Sequence, residues 1–138
     1  MRNNDQSLQD EDLIRQRIAE FDNSEFARLL DLTVAEAWDG YARVVMPAAG
    51  KKNSDGVLHG GAVVTLADHA FGMAANATTA HRVAVSFSIQ FIAPATSDLE
   101  AIAERVGDSG RYSTYRVLVH EGSRLVAAFD GVAIQISP

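Results

Sequence analysis

The sequence contains no cysteine. That excludes a thiol nucleophile, a disulfide framework and any thiolate metal site, and it fits a reducing compartment. Basic residues are in deficit, 12 Lys and Arg against 18 Asp and Glu, for a formal charge of −6. A nucleic-acid binder would show a basic face, so no nucleic-acid partner is expected. A small anionic ligand needs only a few local cations and is not excluded. No two histidines stand at ligand spacing, and no metal site is expected. No GxxxxGK phosphate loop and no GxSxG nucleophile elbow occur, which removes P-loop chemistry and an elbow-borne triad. The opening MRNNDQSLQDED is polar and acidic rather than a secretory signal, so a cytoplasmic location is expected.

With 138 residues, 47% of them apolar and 22% charged, the sequence reads as one globular domain spanning 1–138 with a real core. Residues 1–8 read as a disordered tail. From Gln9 to Glu20, Leu13, Ile14 and Ile18 recur at helical spacing among charges, which predicts an amphipathic surface helix. A short second helix, Glu25–Leu30, follows with Ser24 as its candidate cap. Leu32–Ala37 and Tyr41–Met46 read as two strands joined at the hairpin signal Asp39-Gly40. Four longer runs rich in β-branched and aromatic residues come later, Val83–Ile92, Leu99–Val106, Tyr112–His120 and Leu125–Ile136. Their short joints favour an antiparallel meander.

Between the two sets of strands lies the most informative stretch, LHGGAVVTLADHAFGMAAN, residues 58–76. It is long enough to raise the question of a membrane span. Asp68 at its centre argues against one, since a mid-bilayer Asp costs about 2.5–3.5 kcal/mol on insertion scales. A buried helix over about 58–77 is the remaining reading, apolar all round and therefore covered on most sides by a curved sheet of six strands. The fold class is α+β.

At about 100° per residue, Gly61, Thr65, Asp68 and Gly72 fall on one narrow polar strip of that helix. An ionised Asp in greasy surroundings is costly unless paired or used. The two glycines at the helix mouth leave its first N–H groups bare, ready for a developing negative charge. A carboxylate and an anion hole together suggest acyl chemistry. Yet seven residues place Gly61 and Asp68 about 10 Å apart along the axis. A reacting carbonyl must lie within ~3 Å of both. Two antiparallel copies of the helix across a two-fold axis would satisfy that, so an obligate homodimer with two shared sites is expected.

HGG, an Asp nine residues after its His, an Asn six residues before it (Asn53), the strand SFSIQFIAPA and the turn GDSGRYSTYRVLV resemble the hotdog-fold acyl-CoA thioesterases, specifically the PaaI-like group related to phenylacetate degradation. The resemblance covers the chain from about Phe26 onward. It implies a sheet wrapped round a central helix, two dimers forming a tetramer, an acyl-CoA substrate of aryl or medium-chain type, and no cofactor. By the same resemblance Asp68 is the general base or nucleophile and the Gly61 N–H the oxyanion donor. Asn53 positions water or carbonyl, His59 shapes the turn beside the thioester, and Gly60 lets the ligand approach. Thr65 lines the strip. Gly110 and Arg111 form the turn whose cation would meet a CoA phosphate, with Lys51-Lys52 read as a solvated loop near Asn53. Where some relatives carry Ser or Thr this sequence has Ala84; Ser86 or Ser88 on the same strand is the candidate replacement, Ser86 first, with loss of that contact the alternative. His69, at the edge of the strip, reads as a packing residue. Two other functions stay open: a hotdog acyl-thioester dehydratase or hydratase, and a non-catalytic acyl-CoA-binding module.

Overall fold

A computed structural model describes residues 4–137. Helix α1 spans Asn4–Asp22 and α2 Glu25–Leu29; strands β1 (Thr33–Trp38) and β2 (Tyr41–Met46) follow. Then come α3 (Gly60–Asn76), β3 (His81–Phe91), β4 (Leu99–Ser109), β5 (Tyr112–Glu121) and β6 (Arg124–Ser137). The disordered tail is corrected from residue 4 onward, because α1 begins there; residues 1–3 lie outside the described residues. Polar side chains extend that helix through local pairs, Gln6 Nε2 donating to Asp10 at 3.0 Å and Arg15 to Asp12 at 2.8 Å. Ser24 precedes α2, but its hydroxyl donates back to Phe21 O at 2.7 Å and makes no side-chain cap.

The six strands form one antiparallel sheet in the order β1-β2-β4-β5-β6-β3. The meander holds for β4, β5 and β6, whose turns place Gly110 and Gly122 at positive φ. It fails at β3, which pairs with β6 at the far edge of the sheet and not with β4. The joint between β3 and β4 carries Pro94 and is held open rather than tight. Leu58 N donates to Ala95 O at 2.8 Å, and the Glu121 carboxylate accepts from the Thr96 and Ser97 amides at 2.8 Å each. With Arg124 completing the clasp, those donors hold the Glu121 carboxyl down to about 2.

Helix α3 lies on the concave face, with Leu66, Ala67, Ala70, Met73 and Ala74 wholly buried. Alanines recur on the facing strands as well, at Ala42, Ala101, Ala103 and Ala127, so helix and sheet approach closely. Phe71 anchors the packing, its ring 5.2 Å from that of Tyr115 and 5.6 Å from that of Phe129. Truncating such a residue to Ala costs about 3–5 kcal/mol. Gly131 makes room for it: a Cβ there would stand 3.0 Å from Phe71 Cζ.

Strand β3 changes phase midway. Ala84 opposes Ala133 and Ser86 opposes Val132, which leaves Val85 as the extra residue of a bulge. Arg82 and Ala84 therefore face α3 before the bulge, whereas Phe87 faces it afterwards, opposite Gly131. No helix among the described residues is long and apolar enough to cross a membrane.

Candidate active site

Asp68 stands at the middle of α3 on the side turned toward β3. In the protomer its residue surface is exposed, and it borders a half-open cavity of about 370 Å³ between α3, α1, β3 and Ala133 of β6. Burial of its flanks pushes the carboxyl pKa above the ordinary 3.8, and no hydrogen bond opposes that shift. Gly72, one turn on, lines the same cavity together with Phe21, His69 and Ala84. Thr65 belongs to the strip, but its hydroxyl donates to Gly61 O at 2.8 Å and is spent on the helix backbone.

The helix mouth is built by a loop. Lys52 and Leu58 form an antiparallel bridge, and His59 N donates to Lys51 O at 2.8 Å. Asn53 shapes the loop between: its Oδ1 accepts from the Asp55 and Val57 amides at 2.9 and 3.3 Å. Its Nδ2 donates no hydrogen bond among the described residues. Lys51 is corrected from a solvated residue, since its side chain is 7% exposed and its ammonium lies 3.6 Å from the Asp31 carboxylate.

The expectation of bare N–H groups also needs correction. His59 is the N-cap of α3, and its Nδ1 accepts from Gly61 N at 2.8 Å. That bond fixes the neutral tautomer with the proton on Nε2. A Cβ at Gly61 would stand 3.0 Å from the same Nδ1, so the glycine is what lets the imidazole close over the helix end. At Gly60 a Cβ would meet Phe91 Cζ at 3.4 Å. Phe91, Pro94 and Val63 surround Gly60 in a second cavity, of about 340 Å³.

Within the protomer, Asn53, His59, Gly60 and Gly61 stay at the helix mouth, apart from the cavity of Asp68, and Ser86, Gly110 and Arg111 lie elsewhere again. Ser86 is displaced by the bulge at Val85, which sets it on the opposite face from Ala84; it borders another cavity, with Thr114, Arg116 and Asp130. Arg111 donates Nε to Gln135 O at 3.1 Å beside the end of β6, and Gly110 supplies only its turn. His69 packs as read, its ring 5.4 Å from that of Phe21. Burial lowers its pKa below 6.5, although the Asp22 charge pulls the other way. Sequence reasoning missed Phe21 and gave Arg82 no place beside Asp68. Phe21 sits at the end of α1's apolar spacing, which gave no sign that it closes a cavity. Arg82 reaches inward to Ala75 O at 2.7 Å because it precedes the bulge.

Helix α3 and strand β3 run antiparallel side by side. Gly60 lies against Phe91 at one end, and Asn76 exchanges hydrogen bonds with the Arg82 backbone at 2.9 and 3.1 Å at the other.

Residues 55–128 match the Thioesterase superfamily. The PaaI protein from the phenylacetic acid degradation operon of E. coli superposes with a TM-score of 0.84 at 27% identity, over 91% of this chain and 94% of that one. A variant of the phenylacetic acid degradation protein PaaI from Thermus thermophilus is 34% identical, with a TM-score of 0.78 over 82% of this chain and 100% of that one. A conserved protein of Pseudomonas aeruginosa is 28% identical, with a TM-score of 0.80 over 85% and 98%. A six-stranded antiparallel sheet wrapped on a central helix, shared with PaaI proteins along nearly their whole length, is the hotdog fold, and the chain belongs to the thioesterase superfamily.

Proposed function

We propose that this protein is an acyl-CoA thioesterase active as a homodimer, hydrolysing an aryl- or medium-chain acyl-CoA to the free acid and CoA. The observation that carries the reading is the antiparallel run of α3 beside β3, the strand whose outer edge has no partner among the described residues. A two-fold axis across that edge sets two α3 helices antiparallel. Each Asp68 then meets the Gly60–Gly61 end of the partner subunit's helix, and the two cavities join across the seam. The single-helix separation of about 10 Å ceases to be an obstacle.

The chemistry follows from those positions. The thioester carbonyl oxygen takes the Gly61 N–H in exchange for His59 Nδ1, one hydrogen bond replacing another at little net cost. The helix dipole favours the charge that develops there. Asp68 accepts a proton from water as the water oxygen bonds to the carbonyl carbon. The tetrahedral oxyanion then collapses, the carbon–sulfur bond breaks, and Asp68 returns the proton to the departing CoA thiolate. Its raised pKa makes it a stronger base than a solvated carboxylate. Asn53 Nδ2 orients the water or carbonyl. Arg111, which makes no ion pair among the described residues, is the candidate CoA phosphate contact.

The test is thiol release from a panel of acyl-CoAs, with Asp68→Asn alongside. We expect that variant to bind substrate with wild-type affinity and to lose at least about 10²-fold in kcat, on the scale of removing one transition-state contact. Wild-type turnover in Asp68→Asn would end the mechanism. Loss of enoyl absorbance without thiol release would favour a hydratase instead.

A further inference from the structure

The cavity at Asp68 is a chamber with unequal walls. Ala75, Ala84 and Ala133 line it with short side chains, and Gly72 contributes none. Phe21 closes it from α1. A Cβ added at Gly72 would stand 3.3 Å from Phe21 Cε2, so the missing methyl is what lets the ring lie this close to the helix. Beside that ring, His69 keeps Nε2 buried with no hydrogen-bond partner. Native proteins rarely leave a buried polar atom so, except where a ligand or water completes the site. The Arg17–Glu20 ion pair borders the same cavity next to Phe21, with Asn76, His81 and Arg82 on its other polar side, a poor surface for further methylenes.

We propose that this chamber of about 370 Å³ receives the acyl group and that Phe21 is the stop that sets how long that group is. The inference rests on the thioesterase reading and adds the direction in which the acyl chain lies. It runs from Asp68 past Gly72 toward α1, which leaves the Phe91-lined cavity at the partner's Gly60 for the pantetheine arm. The volume is within the range of small-ligand pockets and suits a compact acyl group. Helix α1 becomes a specificity element, although it carries none of the family's signature residues.

The experiment measures kcat/KM by thiol release for straight-chain acyl-CoAs from butyryl to myristoyl. Wild type is compared with Phe21→Ala, Gly72→Ala and Phe91→Ala. Phe21→Ala should move the optimum to longer chains, raising the ratio of long- to short-chain kcat/KM by about tenfold, the lower end of what one methylene of pocket fit is worth. Gly72→Ala should move it to shorter chains. An optimum unmoved in both variants overturns the proposal, as does a shift that appears with Phe91→Ala instead. Should wild type release no thiol from any substrate, the thioesterase reading falls while this one is decided by equilibrium binding of the same series. A binding optimum displaced by Phe21→Ala upholds it, and no binding of any chain length overturns it. If Phe21→Ala lacks a thermal unfolding transition, Phe21→Leu and Gly72→Ala carry the measurement.

Discussion

The two edges of the sheet are treated in opposite ways. At one edge β1 is six residues long, bulged between Val34 and Glu36, and packed against α1. Its Val34 N–H, which could recruit another strand, is capped by the Asp22 carboxylate at 2.9 Å. At the other edge β3 runs for eleven residues with Val83, Val85, Phe87 and Phe91 exposed by 39 to 56%. Proteins blunt sheet edges with short strands, bulges, charge and covering helices. The first edge uses all of these devices, while the second has a bulge and little more. The long apolar edge left bare is the one the proposed dimer would pair across, and Asp68 stands beside it.

The strongest way to break this contrast is a charge on the bare edge. Val85→Lys should yield monomers by sedimentation velocity, and kcat/KM should fall about 10²–10³-fold because each Asp68 loses the amide donor brought by the second subunit. Full activity in a monomeric variant would remove the shared site.

The next effect is in pH. Asp68 must be ionised to take a proton, and its pKa lies above 3.8, so the acid limb of kcat/KM should lie above that value. The sign for stability is the reverse. The folded state holds this proton more tightly than the unfolded chain, so stability falls as pH rises through the window above 3.8. Asp68→Asn should therefore melt higher than wild type at neutral pH, and a lower Tm would contradict the shift.

A smaller effect belongs to the guarded side. His69→Leu removes the unpaired nitrogen beneath α1 and should stabilise the fold by roughly 1–3 kcal/mol, read by denaturant titration. Because the buried imidazole resists protonation, wild type should lose stability as pH drops below 6.5, and the variant should lose less. The smallest effect is at β1. Glu36→Lys breaks the exposed pair with Arg43, at 3.2 Å, and should barely move the unfolding midpoint, with the oligomeric state unchanged. A dissociated dimer there would mean the wrong edge had been chosen.

Much of this was legible before any coordinates. The all-apolar circumference of residues 58–77 required a covered helix, and α3 is covered by the sheet. The strands were found because their patterns alternate over long runs. Legibility failed where one residue or one side chain decided the outcome. Nothing in VAVSFS marks Val85 as an extra residue, so Ala84 and Ser86 looked like neighbours on one face. HGG shows a helix with free amides, but not that the His folds back 2.8 Å from the second of them. The edge position of β3 depends on where a proline-bearing joint travels, which strand periodicity does not encode. Lys51 looked solvated because its burial depends on Asp31, far upstream in the chain.

The bulge at Val85 has a practical consequence for anyone redesigning this protein. Removing that residue would straighten the strand without turning Ser86 toward the carboxylate, since Ser86 already sits opposite Val132 on the outward row. From β3, position 84 rather than 86 is where a hydroxyl would face the cavity of Asp68.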